Sequence, residues 1–293
     1  MFLIVGANGF LGSYLRKNIL EMTGDDVLCV DIQNIDDAKA ENRVKWLECN
    51  VTDIESVKKL NNVVKNEKDL KVIYLAVYFN TKNNLDLQTT KTAFNVNVIG
   101  LSNFLYHMEN ISRLYFTSTD MVFNRDGKYT EESPTEPMNQ YGEHKIICEK
   151  IVNSFKYNVV RLSVMTGVSL APDKKHFFDE ILENLKNGIE MEFFADVYRT
   201  MIDFNTASRL IIDLINTPEA QKHKIVNISG DYAVSKYDLA IKIAEKYSLD
   251  TSKIIPVKQS EVAIWQEKRA NEVLLDNNLL KEILRLKKIE MVV

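Results

Sequence analysis

The chain of 293 residues is 45% hydrophobic and 27% charged, the composition of a globular protein, which excludes a disordered or fibrous one. At about 150 residues per domain, the length admits one large domain or two modest ones. Its 37 Lys and Arg against 41 Asp and Glu leave a formal charge of −4, too little positive field to hold a nucleic-acid backbone, so nucleic acid is not an expected partner.

Residues 1–5 are a short apolar run suited to a buried parallel strand, and Phe10, Leu11, Tyr14, Leu15, Ile19 and Leu20 then recur at helical spacing. Between them lies Gly6-Ala7-Asn8-Gly9-Phe10-Leu11-Gly12, which holds three of the chain's 10 glycines. Strand, glycine turn and helix in this order present unpaired N–H groups and the positive end of a helix dipole to a pyrophosphate. The glycines permit the tight turn, the close approach of phosphate and the packing of helix on strand. The expected dinucleotide contacts are Gly6, Asn8, Gly9, Phe10, Leu11 and Gly12. A second strand over residues 27–30 ends in Asp31, 19 residues after Gly12. An acid there binds a ribose 2′-hydroxyl and repels a 2′-phosphate, so NAD(H) is expected over NADP(H); a solvated strand end is the plainer alternative for Asp31.

Further strands are expected at residues 44–47, 72–76 and 114–117, separated by helical patterns at 54–64 and 93–108. Regular alternation of strand and helix predicts an α/β fold, a Rossmann-type doubly wound parallel sheet with ligands at the carboxyl ends of its strands. The strand near Leu114 ends in Phe116-Thr117-Ser118-Thr119-Asp120-Met121-Val122-Phe123. After a loop holding Pro134 and Pro137, Tyr141-Gly142-Glu143-His144-Lys145 opens a helix that continues through Ile146, Ile147 and Ile151. Tyr141 and Lys145 are i and i+4 and share one helix face. An ammonium and an oxidised nicotinamide would stabilise the phenolate of Tyr141, whose proton then passes to or from a substrate oxygen as hydride moves at carbon. Thr119 can hydrogen-bond that oxygen.

Gly-x-x-Gly-x-x-Gly, Tyr-x-x-x-Lys and Ser-Thr-Asp-x-Val-Phe together resemble the extended short-chain dehydrogenase/reductases, the NAD-dependent epimerase/dehydratase group that acts on nucleotide sugars, and the resemblance runs along the whole chain. It implies Thr119, Tyr141 and Lys145 as the catalytic trio, with Tyr141 and Lys145 also touching the cofactor. It implies cofactor contacts at Gly6, Gly9, Gly12 and Asp31, at Ala76 after the fourth strand, and at Asn97 in Asn97-Val98-Ile99-Gly100. Where that group has Asp-x-x-Asp after its third strand, this chain has Asn50-Val51-Thr52-Asp53, which leaves Asn50 and Val51 as the expected adenine contacts. The 4,6-dehydratases carry a glutamate where Met121 stands, so dehydration is not expected. Arg161-Leu162-Ser163-Val164-Met165-Thr166-Gly167 is similar to a segment of the dTDP-4-dehydrorhamnose reductases, whereas epimerases have asparagine in place of Val164. Against this, Tyr198-Arg199-Thr200-Met201-Ile202-Asp203 resembles an epimerase segment whose arginine holds the nucleotide diphosphate. The resemblance implies NAD(P)-dependent reduction of a 4-keto nucleotide sugar, with a nucleotide-sugar 4-epimerase as the alternative. A non-catalytic dinucleotide-binding regulatory subunit is the alternative of another class, and the intact trio argues against it.

Residues 1–162 are expected to form the NAD(P)-binding domain and 163–293 mainly a substrate-binding lobe. That lobe is expected to have helices near 177–185, 206–215, 236–246 and 277–284 and a strand at 225–228. The substrate belongs in the cleft between them, with Tyr78, Asp120, Arg199 and Arg269 as its expected contacts, the arginines because guanidinium forks suit phosphate. Lys174-Lys175 reads as a solvated loop face, Cys148 as helix filler, and His144 as packing. A homodimer through Ile146, Ile147 and Ile151 is expected, with burial of these residues on the sheet as the alternative. Cys29, Cys49 and Cys148 are odd in number and widely spaced, which argues against disulfides and for a reducing compartment. His107, His144, His176 and His223 lack ligand spacing, so no metal is expected. No apolar run approaches the roughly 20 residues of a membrane span, and the start lacks a cleavable signal; the expectation is a cytoplasmic chain without a membrane partner.

Overall fold

The opening apolar run forms β1 (Phe2–Val5), buried at every residue, in a computed structural model that describes residues 1–33, 42–80, 85–171, 174–261 and 270–293. With β2 (Val27–Asp31), β3 (Val44–Glu48), β4 (Leu70–Tyr74) and β5 (Ile111–Thr119) it builds one parallel sheet. The strands β6 (Gly127–Tyr129), β7 (Asn158–Leu162), β8 (Met165–Thr166), β9 (Met191–Phe194), β10 (Tyr198–Arg199), β11 (Ile202–Asp203) and β12 (Ile225–Ile228) follow. The main sheet runs β12-β7-β5-β4-β1-β2-β3, parallel throughout. Chain order reverses between β1 and β4, so the crevice over their carboxyl ends is the topological switch point of a doubly wound sheet.

Helices cover both faces. On one lie α1 (Phe10–Met22) and, far along the chain, α7 (Phe204–Asn216). The two helices pack together, with the Asn18 amide donating to Ser208 Oγ at 2.5 Å and Asn205 Oδ1 at 3.1 Å. On the other lie α2 (Ile54–Val64), α4 (Gly100–His107) and α5 (Gln140–Ser154), over Val5, Val72, Leu114 and Val159. The helix expected from 93 to 108 begins earlier, as α3 (Leu87–Phe94), because the Asp86 carboxylate caps the Thr89 N–H at 2.8 Å. A π-helical turn, Asn95–Ile99, joins α3 to α4 and rotates Asn97 into the interior.

The second half does not stay apart from the first. Both α7 and β12 join the main layers, and a four-stranded sheet, β13-β10-β15-β6, unites β6 with β10, β13 (Val234–Ser235) and β15 (Glu272–Leu275). A separate core lies under α6 (Phe177–Lys186), α8 (Lys236–Lys246), β9 and β14 (Ile254–Val257), built on Phe178, Ile181, Leu239 and Ile243. The chain closes with α9 (Asn278–Leu284). Among the described residues no helix is long and apolar enough to cross a membrane, and no cluster of three His, Cys, Asp or Glu could hold a metal.

Candidate active site

The glycine turn is shaped by what presses on it. Gly6 has φ +91°, and a Cβ there would lie 2.7 Å from the Ala76 nitrogen, so a side chain would drive β1 and the loop after β4 apart. Gly9 caps α1 without a side-chain hydrogen bond, and the first turn holds no acid, so the helix start offers its N–H groups and positive dipole end to an anion. Gly12 is buried in that helix. Phe10 packs its ring on His176 and Phe204, and Leu11 is buried, which leaves the turn's backbone as its ligand-binding face. Asp31 is more than a solvated strand end: Oδ2 accepts the Asn8 N–H at 2.9 Å and Oδ1 the Ile32 N–H at 2.8 Å. The Asn8 amide reaches the Gln33 carbonyl at 3.1 Å. At the end of β3, Asn50 Oδ1 accepts from the Thr52 N–H and hydroxyl at 3.0 and 2.8 Å, fixing a turn beside the buried Val51.

Two strand ends and α5 meet beside this turn. The Thr119 hydroxyl accepts from the Met121 N–H and donates to Asp120 Oδ1, both at 3.2 Å. The first turn of α5 presses on the same loop, where a Cβ on Gly142 would overlap the Met121 carbonyl oxygen; Tyr141 lies in that turn, within reach of the Asp120 charge. The Lys145 ammonium donates to the Thr117 carbonyl at 2.6 Å and stands 4.4 Å from the Phe116 ring centre and 5.6 Å from that of Tyr141. Burial lowers the Lys145 ammonium to about 8. Burial, helped by the charge of Asp120, pushes the Tyr141 phenol well above its usual value. The shift runs opposite to the lowering expected from Lys145, because burial is the largest influence on the phenol.

Asn97 clamps the wall opposite. Its Oδ1 accepts the Tyr78 N–H at 2.7 Å, its Nδ2 donates to the Tyr78 carbonyl at 3.1 Å, and the same nitrogen lies 3.3 Å from His144 Nδ1. It thus fixes the loop bearing Ala76, Tyr78 and Phe79, and Phe79 meets Tyr141 edge-on with ring centres 5.0 Å apart. His144 is buried against Phe94. The Cys148 thiol donates to the Asn97 carbonyl, and burial pushes it up to about 11, an inert filler as expected. Beneath β5, Ser118 donates to Glu149 at 2.6 Å, and Glu149 takes a two-pronged contact from Arg161 at 2.9 and 2.8 Å. This buried set joins β5, α5 and β7.

Of the residues expected to contact substrate, Asp120 and Arg199 are together, with Oδ2 3.7 Å from Nε. The remaining guanidinium N–H groups donate to the carbonyls of Tyr198, Asn271 and Ala270. Arg269 lies outside the described residues. Two lysines separate: Lys175 pairs with Glu183 on the surface at 2.6 Å, as a solvated face would, but Lys174 reaches the Asn8 carbonyl at 3.0 Å. Glu149 was missed by the sequence reading and Lys174 was read as solvated, because no local pattern joins residue 118 to 149 or 8 to 174.

Residues 1–290 match the family model described as RmlD substrate binding domain. The chain is 26% identical over 250 residues to dTDP-4-dehydrorhamnose reductase of Aggregatibacter actinomycetemcomitans, covering 83% of this chain and 78% of that one. It is 27% identical over 221 residues to UDP-glucose 4-epimerase of Lactobacillus helveticus, covering 68% of this chain but only 64% of that protein's length. Its fold matches a dTDP-4-dehydrorhamnose reductase from Bacillus anthracis, solved in complex with NADP, with a TM-score of 0.76, 23% identity and coverage of 99% and 94% of the two chains. With the doubly wound sheet, the glycine turn and a family match along nearly its whole length, the chain belongs to the RmlD substrate binding domain family.

Proposed function

We propose that the protein reduces the 4-keto group of a nucleotide-linked sugar with NADH or NADPH, in the manner of a dTDP-4-dehydrorhamnose reductase. The observation that carries this reading is the placement of Tyr141 and Lys145 one turn apart on α5 beside the end of β5, with the Lys145 ammonium on the Thr117 carbonyl and 5.6 Å from the Tyr141 ring centre. Reduction of a ketone requires a proton donor at the developing alkoxide, and a neutral tyrosine supplies one. Hydride is the contribution of the reduced nicotinamide when bound. Thr119 turns its hydroxyl from Asp120 to the same oxygen and holds it in line. Lys145, one turn along α5, stabilises the phenolate left behind and binds the nicotinamide ribose. Tyr78, Asp120, Arg199 and Arg269 are assigned to the substrate side, and the Asn8–Asp31 turn, Asn50, Val51, Ala76 and Asn97 to the cofactor side, with Asp31 favouring NAD(H).

Met121 carries no ionisable group and cannot serve as a dehydratase base. The epimerase alternative drew on Arg199 as a diphosphate ligand, and its support is reduced here, since that guanidinium is engaged by three carbonyls and Asp120. The regulatory alternative leaves the complete trio without a chemical reason. Three buried cysteines, none of them in a disulfide, fit a cytoplasmic setting. Of the residues expected to carry a homodimer, Ile147 is exposed, whereas Ile146 and Ile151 pack against cores; sedimentation of wild type and Ile147→Asp checks the dimer, and a monomeric wild type ends it.

The decisive experiment follows absorbance at 340 nm with NADH or NADPH and a panel of 4-keto nucleotide sugars. Net oxidation of the reduced dinucleotide is expected. Interconversion of UDP-hexoses with tightly held NAD⁺ and no net oxidation would replace the reductase by the epimerase, and binding without turnover on any of them would leave the regulatory subunit.

A further inference from the structure

We propose that Lys174 is an arm from the second half of the chain that binds a phosphate group of the dinucleotide at the glycine turn. Its ammonium reaches 166 residues back to the Asn8 carbonyl at 3.0 Å. The base of the arm is fixed two residues on. His176 meets Phe10, the first residue of α1, with ring centres 5.0 Å apart, and Phe204 at 4.9 Å. Its backbone and side chain also cap α6 in a mutual contact with Asp179. The arm is therefore built onto the turn rather than brushing past it.

The charge of Lys174 has no counter-charge among the described residues, in contrast to Lys175, which is paired with Glu183. A neutral carbonyl is a weak partner for an ammonium, and a phosphate oxygen is a far stronger one. The rest of the turn is arranged for the same exchange. The Asn8 N–H is taken by Asp31 and the Asn8 amide by Gln33, while the start of α1, capped by Gly9 without a side chain, keeps its N–H groups for an anion. Phosphate would then sit between backbone N–H groups on one side and the Lys174 ammonium on the other, which ties dinucleotide binding to the position of the second half of the chain. The inference rests on the dinucleotide-binding reading of the turn. The shared chemistry is a phosphate anion, and its source is either the pyrophosphate of both dinucleotides or the 2′-phosphate of NADP.

The test is isothermal titration of NAD⁺ and NADP⁺ into the wild-type chain and into Lys174→Ala, Lys174→Gln and Lys175→Ala. Loss of a charge-assisted contact is expected to weaken binding about tenfold or more in both Lys174 variants, with a shallower dependence on salt, and to leave Lys175→Ala unchanged. Weakening of NAD⁺ and NADP⁺ alike assigns the pyrophosphate; weakening of NADP⁺ alone assigns the 2′-phosphate. Unchanged affinity for both in the Lys174 variants, or an equal loss in Lys175→Ala, overturns the proposal. A wild-type chain that binds neither dinucleotide overturns the underlying reading instead. Unfolding temperatures of the variants, expected to match wild type, separate a binding loss from a folding loss.

Discussion

Asp120 and Arg199 face one another across the join between the main sheet and the smaller one, Oδ2 3.7 Å from Nε, with both side chains buried. Burial raises the Asp120 carboxyl above the usual carboxylate range and Arg199 opposes that rise. Arg199→Leu would leave the buried carboxylate without its counter-charge, and is expected to cost about 3–5 kcal/mol of stability. The same change lifts the Asp120 carboxyl further. A carboxyl whose folded-state value lies above its unfolded one favours the fold at low pH and loses that contribution as pH rises through the folded-state value. The deficit of Arg199→Leu against wild type is therefore expected to grow from acid to neutral pH. Urea unfolding of both proteins at about pH 5 and about pH 8 measures it, and equal deficits would refute the coupling.

Tyr141 and Lys145 separate by their pH behaviour. Tyr141→Phe removes the proton donor and is expected to lower kcat by about 10²–10⁴-fold while dinucleotide affinity holds. Wild-type reduction is expected to fall on the alkaline side as the Lys145 ammonium, brought down to about 8 by burial, loses its proton. Lys145→Arg keeps a charge that does not titrate in this range, so its residual activity should lack that alkaline limb. A profile with the same limb in wild type and Lys145→Arg would assign the titration to another group.

What could be read in one dimension was local. The glycine turn, the runs that became β1 and β2, and the periods that became α8 and β12 each encode their own element. The acid that caps α3 at Asp86 lies ahead of the apolar period, so the helix looked shorter than it is. The Tyr141–Lys145 spacing was visible, but the tether of Lys145 to the Thr117 carbonyl was not, because it joins α5 to β5 across 28 residues, and the burial that raises the phenol is likewise a product of tertiary packing. Arg199 shows the same limit. A guanidinium suits a phosphate in any sequence, yet its neighbours depend on β15 lying beside β10, a pairing between residues 198–199 and 272–273 that no local pattern announces.

Glu149 tests the support beneath the site. Its carboxylate accepts from Ser118 and from two nitrogens of Arg161, all buried. Glu149→Ala would strand the guanidinium in the interior and is expected to cost about 3–5 kcal/mol. Glu149→Gln keeps the shape and one acceptor, so it should cost less but loosen the strand end that carries Thr119. Thermal unfolding gives the order of the two variants. If Glu149→Ala were as stable as wild type, the network would be solvated rather than structural.

Asp31 has two separable roles, and one substitution distinguishes them. Its carboxylate holds the Asn8 and Ile32 N–H groups at 2.9 and 2.8 Å, which shapes the turn whatever dinucleotide is present. In the proposed cofactor site its charge would also repel an adenosine 2′-phosphate, a contribution that only NADP would feel. Asp31→Asn keeps one acceptor oxygen and removes the charge. If the carboxylate sets preference, the ratio of NADP⁺ to NAD⁺ dissociation constants is expected to fall about tenfold, as a like-charge repulsion of about 1.4 kcal/mol disappears. If Asp31 only shapes the turn, both affinities fall together and the ratio holds. Titration of the two dinucleotides into wild type and Asp31→Asn therefore reads the charge and the geometry in one experiment: the ratio reports the repulsion, and the common loss reports the turn.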